Sequence, residues 1–431
     1  MTNPLLSGRR LPDFPAILPQ HVEPAVRDLL TKGEETLSRL EREQNISWET
    51  IMEPQEDLAL AYQQVWGPVG HLMGVRNTQE LRDVYEKVLP DVVAAGLRMA
   101  QSKPLYLAHR TLLERGGLTP TRKRILEKKL LDARHAGIEL EGPDRQRFQE
   151  IVQELSQLAN EFSNNVLDAT RSWSLDLETN DEVVGLPESW KELAAESYNR
   201  AHEGSPATAS QGPWRLTLDL PSYLPFMQYA SRRDLRELAY QASIRRAAEA
   251  PYDNTLRISR ILELRQEEAR LLGYENFAAL SLAEKMAGSV DRAWDLLESL
   301  RVKCLPAAKQ DLREIEELAV RNGHALELHD VAFYAERLKE QKFEYNEEDL
   351  RPYFPLEKVL GGLFRLVEIL FQIRVVAAPG EAPVWHEDVR YFKIFDLSGQ
   401  ERAAFYLDPY SRPADKRGGA WMNDCVARRR M

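Results

Sequence analysis

At 431 residues the chain is too long for one ordinary core, and its 43% hydrophobic and 29% charged content is that of a soluble globular protein of about two or three domains. A formal charge of −11 disfavours a nucleic-acid partner, because phosphate binding needs a basic surface, and no apolar run approaches the roughly 20 residues of a membrane span. Two cysteines, Cys304 and Cys425, give no CxxC, no zinc-ribbon spacing and no disulfide framework, so a reducing, cytoplasmic compartment is expected.

The first twenty residues are punctuated by Pro4, Pro12, Pro15 and Pro19 and read as extended chain without a signal peptide. Helical patterns follow over Val22–Arg42, Gln55–Met73 with a break or kink at Gly67-Pro68, Leu81–Gln101, and Leu105–Arg115. Thr119-Pro120 supplies an N-cap and first-turn proline for a helix running to Gly137, a good residue just past a helix end. In the next helix Phe148, Val152, Leu155, Ala159, Phe162 and Val166 recur every three or four residues, one continuous apolar stripe.

Trp173–Leu177 and Arg215–Leu220 alternate and predict strands, so the long helix should end before the first of them. Between them lies a polar segment with a loop over Gly204–Gly212. Further helices are predicted over Pro225–Ala248, Asn254–Leu272, Asn276–Met286, Val290–Val302, Pro306–Arg321, Asp330–Lys342 and Leu356–Phe371. A short apolar run, Ile373–Val376, precedes the most strand-like part of the chain. There Tyr391–Phe395 and Ala403–Leu407 flank the turn residues Asp396-Leu397-Ser398-Gly399, and the broken alternation of the second run suggests cover on both faces. The adjacent glycines of Lys416-Arg417-Gly418-Gly419-Ala420-Trp421 permit close backbone approach or positive φ. The final Arg428-Arg429-Arg430 reads as solvated chain. The fold class is mainly α, with a small β-sheet near the C-terminus.

No complete catalytic constellation appears in these residues. A zincin helix needs His-Glu-x-x-His, which puts two imidazoles one turn apart with a glutamate to polarise water. His202-Glu203 is followed at the required position by Pro206, and His386-Glu387 by Arg390. Nucleophile elbows and phosphate loops are likewise missing from the sequence, and Glu314-Ile315-Glu316-Glu317 reads as a solvated helix face. Neither a catalytic residue nor a metal ligand is assigned.

Several segments, in order, nevertheless carry a family resemblance. They are Asn3–Leu6 with Ile17–Val22, Ser163–Thr170, Leu218–Pro225, Leu271–Asn276, Leu350–Pro355 and Lys416–Met422. The chain resembles the N-terminal part of the thimet oligopeptidase family of zinc metallopeptidases, in its oligopeptidase A subgroup. At Leu328-His329-Asp330 it departs from the Trp-Asp of relatives.

The resemblance implies a two-lobed helical fold enclosing a channel, in which zinc-dependent hydrolysis acts on short peptides. It implies a division into residues 1–142 as helical segment of the first lobe, 143–330 in the second, and 331–431 returning to the first with the small sheet. In the family the zinc helix lies a few dozen residues beyond Arg-Gly-Gly-Ala-Trp, so this chain is expected to stop before it, to bind no catalytic zinc and to be inactive and marginally stable alone. Zinc is the cofactor of the complete enzyme. The expected substrate-holding residues are Phe405, Tyr406, Gly418, Gly419 and Ala420, on or against a strand edge that pairs with an extended peptide. Short peptides are the expected partners of a cytoplasmic monomer, with no nucleic acid or membrane. A reading from a different class is a non-catalytic helical peptide-binding or scaffold protein.

Overall fold

Proline and hydroxyl signals start the first helices where the sequence places them. The computed structural model describes residues 3–202, 204 and 206–426, so Arg428–Arg430 lie outside the described residues. Helices α1 (Pro19–Glu41), α2 (Glu53–Val75), α3 (Gln79–Ala100), α4 (Lys103–Arg115) and α5 (Pro120–His135) form the first part. The hydroxyls of Thr78, Ser102 and Thr119 accept the backbone N–H groups of Leu81, Leu105 and Arg122, each three residues on. Helix α2 runs unbroken through Gly67-Pro68, where a break or kink is expected. Pro68 is buried, and its neighbours Val65, Val69 and Leu72 anchor that face in the core. Gly137 follows α5 with φ +75°. A Cβ there would lie 3.0 Å from Leu140 and 3.1 Å from Phe148, so both backbone and packing call for glycine.

Helix α6 (Gly142–Ser172) ends, as expected, just before β1 (Ser174–Leu177). The polar segment that follows contains a helix the sequence did not suggest, α7 (Glu188–Ala201), anchored by buried Trp190, whose indole N–H donates to the Ser222 carbonyl at 2.7 Å. Strand β2 (Trp214–Thr217) pairs antiparallel with β1, from Ser174↔Thr217 to Leu177↔Trp214. It stops short of the expected Leu220 because Asp219-Leu220-Pro221 opens α8 (Leu220–Tyr229). The single helix expected over 225–248 is two, α8 and α9 (Arg233–Ile244), parted where the Ser231 N–H donates to the Val184 carbonyl at 2.9 Å.

There follow α10 (Thr255–Leu271), α11 (Phe277–Leu282) and α12 (Val290–Arg321). Helix α12 continues through Pro306, where two helices are expected. Helices α13 (Val331–Phe343), α14 (Glu347–Leu350) and α15 (Leu356–Phe371) complete the helical series. At the departure from the family pattern, the fully buried Asp330 accepts from Arg233 and Arg236, tying the start of α13 to α9.

The terminal sheet is an antiparallel meander of β3 (Ile373–Ala377), β4 (Arg390–Asp396) and β5 (Glu401–Leu407), with β4 in the middle. The Asp396 carboxylate makes its turn by accepting the N–H groups of Ser398 and Gln400. One core gathers Phe14, Val22, Val26, Val69, Met73 and Val88 with Trp385 and Val389, so the approach to β4 is packed among the first helices. A separate core holds Leu177, Trp190, Trp214, Leu216, Phe226 and Ala239. No helix among the described residues is long and apolar enough to cross a membrane.

Candidate functional site

Strand β5 pairs with β4 along one edge, from Arg390↔Leu407 through Phe392↔Phe405 to Phe395↔Glu401, and no strand among the described residues takes the other. Its middle residues, Arg402, Ala403 and Ala404, are exposed. A row of main-chain donors and acceptors therefore faces outward beside two small side chains.

Phe405 and Tyr406 lie on opposite faces of this strand. Phe405 stacks on Phe392 with centroids 5.1 Å apart and meets the edge of Phe364 of α15. Tyr406 contacts Tyr391, Trp385 and Phe14, entering the first core. Cover on both faces is thus found at the end of β5, while its middle is open. Burial pushes the Tyr406 phenol up, and its hydroxyl finds no hydrogen-bond partner among the described residues. These two residues anchor the strand, and the free backbone beside Ala403 and Ala404 is what a ligand could reach.

The loop after β5 is fixed by Asp408. Burial alone would raise its pKa, but Arg412 donates twice at 2.7 Å, the Trp385 indole N–H once at 3.0 Å, and the Lys416 ammonium lies 3.2 Å away, which together hold the carboxyl at about 2. Lys416 also donates to the carbonyls of Asp408 and Tyr410, closing the loop on itself.

That loop is then sewn to the helices. The Arg417 N–H donates to the Gly74 carbonyl at 2.8 Å, the Asn77 N–H donates to the Asp415 carbonyl at 3.0 Å, and Trp421 lies over Gly74, where a Cβ would come within 3.5 Å of its ring. From α6, Arg171 donates to the Pro413 carbonyl at 3.1 Å, while the Arg417 guanidinium reaches Asn164 at 3.4 Å across 253 residues of sequence. Burial lowers the pKa of both arginines, and Arg82 adds to the effect on each. Arg82 itself forks onto Asp168 of α6 at 2.6 and 2.7 Å. Two segments of the resemblance, 163–170 and 416–422, are therefore neighbours in space.

Gly418, Gly419 and Ala420 are exposed beyond this knot, and no backbone-to-backbone hydrogen bond among the described residues engages them. Gly419 has φ +96°, a conformation open to glycine, and neither glycine's missing Cβ would meet any atom within 4 Å. The structure does not join these three residues to β5 by a hydrogen bond; the link runs through Asp408 and Lys416. Sequence reasoning missed this knot, although the spacing of Asp408 and Arg412, four apart and beside Lys416, was a usable signal.

A zinc ion, the cofactor that the resemblance implies for the complete enzyme, finds no fit here. No group of three or more His, Cys, Asp or Glu among the described residues is arranged to hold a metal. The half-buried His71, whose enclosed Nε2 has no partner among the described residues, stands against Trp385 and Phe14, and burial holds its pKa down at about 4. It is a packed aromatic of the core.

Comparison with known proteins decides the lineage. The model of peptidase family M3 matches residues 226–431, and that of the neurolysin/thimet oligopeptidase N-terminal domain matches residues 26–145. The chain belongs to peptidase family M3. This M3 chain is 44% identical to an organellar oligopeptidase A of Arabidopsis thaliana described as chloroplastic/mitochondrial, over all of its own length and 55% of the relative's. It is also 44% identical to a probable cytosolic oligopeptidase A of the same plant, covering 62% of it, and 38% identical to oligopeptidase A of Escherichia coli K12, covering 63%. The M3 chain thus spans between 55% and 63% of the length of these relatives.

Proposed function

We propose that this M3 chain supplies the peptide-holding wall of a zinc-dependent oligopeptidase of the oligopeptidase A type. The observation that carries this reading is the unpaired outer edge of β5, held rigid by the Asp408 knot and followed by the free backbone of Gly418–Ala420. An extended peptide that pairs with such an edge is held through its main chain, so many sequences bind. A folded protein has few free extended segments and is not taken. Phe405 and Tyr406 keep the strand in place, and the small side chains of Ala403 and Ala404 leave room for the ligand's own.

Zinc in the complete enzyme would activate water for peptide hydrolysis. The described residues of this chain offer it no ligand set, and their part is to bind and orient. The proposed organisation is a first lobe from residues 1–142, a second from 143–330, and a return of 331–431 to the first, in a monomer. A cytoplasmic setting is supported by the relative described as cytosolic.

N-methylated peptides test the main-chain reading. A fluorescent eight-residue peptide is titrated into the chain by anisotropy, beside versions methylated at single backbone nitrogens. Pairing with an edge strand predicts that methylation at every second position weakens binding roughly 3- to 10-fold, the loss of one net hydrogen bond, and that the intervening positions tolerate it. Equal tolerance at all positions would remove β5 as the docking edge.

A further inference from the structure

Helix α12 buries only the end of one face. Leu318 and Ala319, with Ile315, pack against Tyr334, Phe333 and Leu338 of α13. At one- and two-turn intervals that same face continues toward the N-terminus through Leu312, Leu305, Leu297 and Trp294, and there it is open. Trp294 is 66% and Leu297 60% exposed. The reason is length. The 13 residues of α13 span about 20 Å against about 48 Å for the 32 of α12, so most of the stripe lies beyond the reach of α13.

Helix α15 has the same property. Phe364 meets Phe392 and Phe405 of the sheet, while an adjoining stripe of Val359, Leu363, Leu366 and Leu370 is open along the whole helix. Contiguous exposed apolar stripes of this kind mark interaction surfaces.

We infer that these stripes of α12 and α15 are docking surfaces for helical polypeptide corresponding to the part of the oligopeptidase A relatives that has no counterpart in this chain. Three relatives match the whole of this chain yet have more than a third of their length outside the match. Polypeptide of that extent needs apolar surface to pack on. The stripes run at helical spacing, which suits ridges of another helix laid along them. The inference rests on exposure and on the relatives' length, and stands whether or not β5 holds peptides.

The test combines the chain and a full-length relative. In the probable cytosolic oligopeptidase A of Arabidopsis thaliana, aspartate is placed at the positions aligned with Leu297 and Leu366, singly. The matching Leu297→Asp and Leu366→Asp variants are made in this chain. Each should lower the melting temperature of the relative by roughly 5 °C or more, as for a charge forced into a packed interface, and shift this chain by less than about 1 °C. Hydrogen exchange should show the amides around 294–305 and 359–370 fast in this chain and slow at the aligned segments of the relative. Unchanged melting of both variants of the relative would overturn the inference. So would a concentration-dependent dimer of this chain that protects those amides, since a second copy would then be the occupant.

Discussion

Removing the carboxylate of Asp408 leaves Arg412 and Lys416, both nearly buried, without their paired counter-charge, and only the weaker pull of Asp388 and Asp415 remains on Arg412. Its pKa is depressed from 3.8 to about 2, so the stabilisation it brings is complete above pH 4 and is lost as the pH falls through 2. The shift corresponds to about 2–3 kcal/mol. Asp408→Asn should therefore be less stable than the parent by at least that order at pH 7 in urea unfolding, with the gap narrowing by about 1 kcal/mol at pH 3. A gap independent of pH would show that the carboxylate is not held down by its donors. Of the residues singled out in the sequence, Gly418 and Gly419 turn out to differ. Both have open space for a side chain, but only Gly419 has positive φ. Gly419→Val should cost roughly 1–3 kcal/mol through backbone strain and so confounds stability with binding. Gly418→Val should leave unfolding within about 0.5 kcal/mol of the parent and weaken peptide binding at least 3-fold in the anisotropy titration. Unchanged binding by a folded Gly418→Val would confine the ligand to β5.

Elements with strong local signals were legible. The run of Thr119-Pro120 to Gly137 fixed α5, and the hairpin of β4 and β5 follows from Tyr391–Phe395, the Asp396–Gly399 turn and Ala403–Leu407. The edge position of β5 was not legible, because the order β3-β4-β5 depends on which strands find each other and not on any strand's own composition. Helix α7 escaped for a related reason. Glu188, Ser189, Lys191, Glu192 and Glu196 make it read as polar loop, and only Trp190, Ala194 and Ala195, buried against β2 and α8, reveal the apolar face. The unbroken courses of α2 through Pro68 and α12 through Pro306 show tertiary packing and helix length overriding a local breaker. The site was legible only in part: Phe405, Tyr406 and the glycines lie along one length of chain, but Asp408, which connects them, emerges only when Arg412, Lys416 and Trp385 converge on it.

At the scale of the molecule, the last described residues are held by contacts that cross most of the sequence. Asn77 at the end of α2 donates its N–H to Asp415 and accepts from Arg82; Arg82 forks onto Asp168; and from the same helix as Asp168, Arg171 and Asn164 hold Pro413 and Arg417. Three guanidinium groups, Arg82, Arg171 and Arg417, share this junction, with Asp168 paired to the first two. Asp168→Ala would leave Arg82 nearly buried and unpaired beside two like charges, at a cost of roughly 2–4 kcal/mol once its partial exposure is allowed for. Because α6 and the terminal loop meet through this cluster, the effect should not stay local. Hydrogen exchange of Asp168→Ala is expected to quicken at Asn77, Asp415 and Arg417, while β1 and β2, whose core lies elsewhere, keep their parent rates. If only the α3–α6 contact loosened and the amide of Arg417 stayed as slow as in the parent, the loop would be held by Asp408 alone. The wall proposed for the peptide would then be anchored from one side only.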